Sequence, residues 1–427
     1  MSQRLQAVKG TRDLLPPDTA LWAAVEGAAR RVFERYGFHE IRTPIFEETE
    51  LFARGVGEAT DIVGKEMYSF EDKGGRSLTL RPESTAAVCR AYVEHGMQSL
   101  PQPVKLFYIG PQFRYERPQK GRYRQFHQIG AELLGGRGAE SDVETLLVLV
   151  AFLGELGFGD LQVLLNTVGD AESRAAYRDR LVAFLRPHAA ELGEDSRRRL
   201  DSNPLRILDT KDPDEQAILA GAPRLEDCLT AASRDHFARV RAHLDAFAVP
   251  YRIEPRLVRG LDYYTNTVFE IVSQGLGAQN AICGGGAYEG LVEEMGGPPT
   301  YGVGFAIGED RLIEVLPQSF RERLQGRGPV VVAAMGKLPA PADGVAPLFA
   351  LIEELRRAGI PAIEGSGKGG KLFEAAERQR SPYVVFLGEQ EQRDGTVTLR
   401  ELASRAQRTL PRGEAIAELR RLYSPAS

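Results

Sequence analysis

FYIGPQFRYERPQKGRYRQFHQIGAE, residues 107–132, is the stretch on which the fold turns. Extended, alternating segments at 104–116 and 123–134 flank the basic loop RPQKGR, 117–122, which predicts a long antiparallel hairpin. A strand repeats every two residues, so Arg122, Arg124, Phe126, Gln128, Gly130 and Glu132 share one face of the second strand. Arg114 lies on the partner strand near the loop. Guanidinium groups, an amide and a carboxylate stand where an apolar core would otherwise sit. Two readings are open: a solvated outer face with scattered ion pairs, or an anion site beside a site for a cation.

Working outward, Leu21, Trp22, Val25, Ala28, Ala29, Val32, Phe33 and Tyr36 recur at helical spacing between Asp18 and Gly37, an amphipathic helix. FHEIRTPIFEETELF, 38–52, is extended and contains Pro44, which has no N–H for a ladder, so it belongs at a sheet edge or an interface. Residues 257–273 and 278–291 read as a second strand pair with Gly-rich turns. Between the two strand groups, about 171–248 turns helical and strongly charged, a helical insertion. YGVGFAI, 301–307, reads as a small-residue strand running into a helix near Glu309, which puts Arg311 in the first helical turn. PQSFRERLQGRGP, 317–329, has the composition of a linker, and 330–427 then alternate strand and helix as a separate α/β domain.

At 427 residues the chain holds two or three domains, and 43% hydrophobic residues are enough for real cores. Lys and Arg total 54 against 59 Asp and Glu, net −5, so a nucleic-acid partner has to be met by local basic patches. Cys89, Cys228 and Cys283 stand far apart without CxxC or Cys/His pairing, which speaks against a disulfide framework and a structural zinc site. The first residues lack an apolar signal-peptide core, and the longest apolar run, 146–154, is too short for a membrane span. A cytoplasmic protein without a membrane partner is expected.

An Arg at a helix N-terminus adds charge-assisted bonds to free N–H groups, a phosphate-favouring arrangement, although small residues before it also serve close packing. GSGKGGKL, 365–372, has P-loop spacing, but Leu372 replaces the hydroxyl residue that would hold magnesium. In RGLDYYT, 259–265, the Tyr264 hydroxyl is expected in the same cleft as Glu132, against the plainer reading of a Tyr-rich core strand.

Together, KGTRDLLP, TLRPESTA (79–86), the 107–132 stretch, LVRGLDYYT (257–265), GGGAYEGL (284–291) and GVGFAIGEDRL (302–312) resemble class II aminoacyl-tRNA synthetases, closely the bacterial histidyl-tRNA synthetase family. The likeness spans nearly the whole chain. It implies an α+β catalytic domain over 1–325, built on an antiparallel sheet flanked by helices, with the insertion at about 171–248. An anticodon-binding α/β domain at 330–427 and a homodimer contact at the Pro44 segment complete it. The implied reaction joins L-histidine and ATP into histidyl-adenylate and passes histidine to the 3′ end of tRNA(His), with Mg²⁺ carried by the ATP and no protein-bound structural metal.

Carried over position by position, the resemblance gives Arg114 the α-phosphate, Arg311 the ATP triphosphate and Arg122 the outer phosphates, and makes Arg259 the catalytic arginine beside Arg114. Glu83, Thr85 and Gln128 would surround the α-amino group of histidine, and Glu132, Tyr264 and Tyr288 its imidazole, with Arg259 also touching histidine. Arg117, Gln119 and Lys120 would contact tRNA. The chain departs from the family's GGGRYDGL at Ala287 and Glu289, and Ser84 replaces a common Gly. The runner-up is a catalytically silent, histidine-binding regulatory paralogue of ATP phosphoribosyltransferase. That paralogue lacks the anticodon-binding domain, whereas this chain keeps 330–427, Arg259 and the phosphate arginines.

Overall fold

The protein is seen here as a computed structural model that describes all residues except 1–4, 58–59, 61, 118–120, 260, 262, 274–280, 324–327, 337, 339–345, 367–368 and 424–427. The chain divides into two units, 1–322 and 323–427, each with its own sheet.

In the first unit, α1 (Asp18–Arg35) buries Trp22, Val25, Ala28, Ala29, Val32 and Phe33, the stripe that its spacing predicts. A short β1 (His39–Glu40) follows, then β2 (Phe46–Glu48), α2 (Thr49–Val56), β3 (Tyr68–Glu71) and β4 (Ser77–Leu80). Strands β2, β4 and β3 form a separate three-stranded sheet with β2 at its edge, directly after Pro44. Ile45, Phe46 and Phe70 there are exposed.

Next come α3 (Thr85–Glu94), β5 (Val104–Phe113), β6 (Gln125–Leu134), α4 (Ala139–Glu155) and β7 (Leu161–Thr167). Helices α5 (Ala171–Leu185), α6 (Glu194–Ser202), α7 (Pro213–Leu219) and α8 (Ala231–Ala246) then intervene before β8 (Tyr251–Ile253). Strands β9 (Tyr264–Ser273) and β10 (Ala281–Tyr288), the short α9 (Leu291–Glu294), β11 (Gly302–Gly308), α10 (Glu309–Glu314) and α11 (Gln318–Arg323) follow.

The large sheet has the order β1-β5-β6-β11-β10-β9-β7-β8, antiparallel through its centre, with parallel pairs only at the two edges. Helices α1 and α4 cover one face. Phe33 sits among Phe107, Phe152 and Phe305 with ring centroids 5.4, 5.4 and 5.9 Å away, joining both helices to β5 and β11.

The hairpin strands end sooner than their alternation predicts. Tyr115 N–H leaves the ladder for the Glu66 carbonyl at 2.7 Å, so β5 stops at Phe113 and β6 begins at Gln125. The expected shared face therefore holds from Phe126 onward only. Arg124 turns aside, its guanidinium 4.0 Å from the Tyr115 ring centroid and its Nε donating to the Glu116 carbonyl at 3.4 Å. Arg122 reaches the cleft from the loop instead.

The second unit comprises β12 (Val330–Met335), α12 (Pro347–Arg357), β13 (Ala362–Glu364), α13 (Gly370–Arg378), β14 (Tyr383–Gly388), α14 (Glu389–Asp394), β15 (Thr396–Glu401), β16 (Gln407–Pro411) and α15 (Arg412–Tyr423). Its sheet order is β13-β12-β14-β15-β16, parallel on one side and antiparallel on the other. Alternate residues feed opposite faces: Val330, Val332, Val385 and Leu387 pack with α12 and α15, and Val331, Ala333, Val384 and Phe386 with Leu372 and Ala376 of α13. Leu372, the residue that spoils the P-loop pattern, is thus a core residue.

Candidate active site

Two adjoining clefts open on the face of the large sheet away from Phe33, and Arg114, Gln128, Arg259, Gly284 and Ala306 line both. The floor is made where β10 and β11 lie side by side, and it is flat because glycines supply it. A Cβ at Gly304 would collide with the Glu132 carboxylate, and one at Gly284 with the Arg259 guanidinium. These two positions exist so that a neighbouring charged group can lie across the strand.

The smaller cleft, about 180 Å³, centres on Glu132, which is 1% exposed. Thr85 Oγ1 donates to one of its oxygens at 2.8 Å and the Tyr288 hydroxyl to the other at 2.8 Å; Tyr108 adds a long contact at 3.5 Å. Burial pushes Glu132 up to about 8; the Thr85 and Tyr288 bonds work against this, and the nearby Glu83 charge adds to it. Glu83 is pushed up by burial too, although it accepts the backbone N–H groups of Thr85 and Ala86, in the first turn of α3, at 2.6 and 3.0 Å. Gln128 Oε1 is buried and has no partner among the described residues. Tyr263 and Tyr264 close the far wall. Two buried carboxylates and an unsatisfied amide oxygen form a pocket waiting for donors and positive charge.

The larger cleft, about 330 Å³, carries the opposite sign. Arg114 is fixed by its Nε bond to the Pro82 carbonyl at 2.9 Å and lies over Phe126, 5.3 Å from the ring centroid. Arg259 gives Nη1 to Glu270 at 2.5 Å, while its buried Nε is without a partner among the described residues. Burial disfavours the Arg259 charge, but Tyr264 and Glu270 outweigh it and push its pKa up. Arg311 is pushed down by burial and then by the like charge of Arg122. Arginines that repel one another in a groove make a field that an anion can relieve.

Glu83, Thr85, Gln128, Glu132, Tyr264 and Tyr288 all line the smaller cleft, Arg122 and Arg311 the larger, and Arg114 and Arg259 both. Arg117 is exposed and lines neither; Gln119 and Lys120 lie outside the described residues. Sequence reasoning passed over Tyr108, Tyr263, Glu270 and Asp310, which also line the clefts. A charged residue inside VFEIV was a signal for Glu270; Tyr108 had none, because its place follows from a register that puts it opposite Gly130. Among the described residues no three His, Cys, Asp or Glu side chains gather as a metal site, and no helix is long and apolar enough to cross a membrane.

The family model for histidyl-tRNA synthetase matches residues 10–312, most of the chain and all of both clefts. The chain belongs to the histidyl-tRNA synthetase family. A model for an anticodon-binding domain matches 330–422. The histidine–tRNA ligase of Synechococcus elongatus is 50% identical over 423 residues, covering 97% of this chain and 94% of the relative; that of Koribacter versatilis is 49% identical over 96% and 95%. Among solved structures, apo histidyl-tRNA synthetase from S. aureus superposes with a TM-score of 0.79 at 34% identity, covering 98% of this chain and 100% of that one. The family resemblance and the expected fold class hold, and full-length matches to ligases leave the regulatory paralogue as the less supported reading.

Proposed function

We propose that the smaller cleft takes L-histidine and the larger one ATP, and that the chain charges tRNA with histidine as its family's ligases do. The observation that carries this reading is the shared wall: Arg114 and Arg259 stand where a carboxylate leaving the acidic pocket meets a phosphate entering the basic groove.

In this arrangement the histidine carboxylate attacks the α-phosphorus and pyrophosphate departs. Negative charge grows on the α-phosphate oxygens, and the fixed guanidinium groups of Arg114 and Arg259 stabilise it without reorganising. Arg311 and Arg122 hold the outer phosphates, with Mg²⁺ travelling on the nucleotide. Glu83, Thr85 and Gln128 receive the α-ammonium group. Glu132 accepts from one imidazole nitrogen and Tyr264 faces the other, while Tyr288 acts through Glu132, to which its hydroxyl is bonded. A ligand lacking either nitrogen leaves a buried polar group unpaired, so discrimination of about 10⁴-fold needs no second editing site.

The exposed Arg117 beside the nucleotide groove and a cleft in the second unit lined by Ser366, Lys371 and Arg378 supply basic surface for tRNA. The exposed Ile45, Phe46 and Phe70 around the β2 edge are the surface for a homodimer contact. We propose a cytoplasmic protein, since ATP and tRNA are its substrates on this reading.

The test is pyrophosphate exchange. The chain is incubated with ATP, labelled pyrophosphate and each amino acid in turn. Exchange supported by histidine alone is the expected result; exchange with no amino acid, or with several equally, overturns the assignment.

A further inference from the structure

The opening motif KGTR, residues 9–12, packs beside the basic groove, and the reading above gives it no task. Its backbone is pinned at two points. The Gly10 carbonyl accepts from Arg124 N–H at 2.7 Å, and Thr11 closes a turn on the Val8 carbonyl through both N–H and hydroxyl, at 2.9 and 2.8 Å.

That turn delivers Arg12 to α10. Arg12 Nη2 donates to Asp310 Oδ1 at 2.8 Å, while Asp310 Oδ2 accepts the His127 N–H at 2.9 Å. The guanidinium carbon lies 4.3 Å from the Tyr123 ring centroid and 5.9 Å from that of Trp22, and Trp22 meets the His127 ring edge-on at 5.2 Å. Asp310 is 5% exposed and lines the same cleft as Arg122 and Arg311.

A buried carboxylate in the wall of a groove for phosphates has the wrong sign. Left alone, it repels the incoming anion or captures a neighbouring arginine. Here both of its oxygens are taken from outside the groove. Among the described residues Arg311 forms no ion pair, and Arg122 pairs with Glu116, at 3.4 Å, not with Asp310.

We infer that Arg12 is a positioning residue for the nucleotide: by holding Asp310 from behind, it keeps that carboxylate from drawing Arg311 and Arg122 away from the phosphates. The inference deepens the reading of the larger cleft as the ATP site and rests on it. Arginine suits the task because its guanidinium bonds the carboxylate while its broad cationic face meets the Tyr123 ring, a combination a compact ammonium group serves less well.

The experiment is ATP binding by titration calorimetry on the full chain, comparing wild type, Arg12→Gln, Arg12→Lys, Asp310→Asn and the double variant Arg12→Gln/Asp310→Asn. Arg12→Gln weakens ATP about 10-fold or more while histidine binding stays within about twofold, and Arg12→Lys falls between. In the Asp310→Asn background the misplaced charge is gone and the amide oxygen still accepts from His127, so adding Arg12→Gln changes ATP affinity by less than about threefold. That loss of effect separates removal of a charge from a general weakening of the fold, and it decides the matter even if Arg12→Gln alone folds poorly.

Unchanged ATP affinity in Arg12→Gln, or a double variant still about 10-fold weaker than Asp310→Asn, overturns the inference. A wild-type chain that binds ATP but shows no histidine-dependent exchange strikes the proposed function alone, and one that does not bind ATP overturns both.

Discussion

Replacing Tyr288 with Phe removes one oxygen atom from a side chain that is 1% exposed and leaves its ring packing intact. The oxygen lost is the one that donates to Glu132 at 2.8 Å. A hydrogen bond to a charged group contributes about 1.5–3 kcal/mol, so above about pH 8, where Glu132 carries its charge, kcat/KM for histidine should fall by about 10- to 150-fold. Direction matters as much as size. The Tyr288 bond lowers the Glu132 pKa against burial, so without it the carboxyl moves above its present value of about 8 and is protonated more fully at neutral pH. The loss should accordingly be larger at pH 7 than at pH 9. Pyrophosphate exchange, with histidine and ATP varied separately, is the assay. ATP affinity should hold within about twofold, because the phenol is absent from the basic groove. If histidine kinetics stay within twofold of wild type, or ATP suffers equally, Glu132 does not read the imidazole and the smaller cleft has been misassigned.

Three other outcomes are expected. Arg259→Ala should keep histidine binding but lose about 10²–10³ in exchange rate, since its charge is needed most where the α-phosphate is most negative; exchange within tenfold of wild type refutes the role. Glu132→Gln should abolish histidine-dependent exchange and change how stability responds to pH. A folded pKa of about 8 against the ordinary 4.5 means that the stability linked to its proton is complete below pH 4.5 and lost as pH rises through about 8. The variant's thermal midpoint should therefore gain on wild type between pH 5 and pH 9, and parallel curves in calorimetry count against the buried charge. Third, a chain cut after Glu322 should still form histidyl-adenylate but charge tRNA poorly, as radiolabelled aminoacylation would show; an adenylation-dead fragment contradicts the independence of the first unit.

The position of that cut marks how far the residues alone could be read. Linker composition at 317–329 suggests a break near Gly328. In the structure Gly328 N–H bonds the Arg380 carbonyl at 2.8 Å, and its own carbonyl accepts the Tyr423 hydroxyl at 2.6 Å, so it belongs to the second unit. Flexible composition and exposed position are different properties, and only the second depends on what lies across the fold.

The hairpin shows the same division. Its alternation was legible because a strand's two-residue repeat is local, and Gln128 and Glu132 fell on the expected face. The departure of Arg124 was not, because Tyr115 leaves the ladder for Glu66, a residue 49 positions away. Glycines 284 and 304 were readable as close approaches but not as what approaches them, since Arg259 and Glu132 arrive from other elements. The pairing of Arg12 with Asp310, 298 residues apart, had no local signature at all.

The wall common to the two clefts bears on inhibition. With Arg114, Gln128 and Arg259 bordering both, the proposed assignment of the clefts means that a single molecule carrying an imidazole at one end and a nucleoside at the other needs only a short bridge across the seam. Joining the halves makes the second binding event intramolecular, at an effective concentration in the millimolar range for a short flexible tether. The glycine floor offers no room to grow such a compound downward, so added bulk belongs along the groove, toward Arg122 and Arg311.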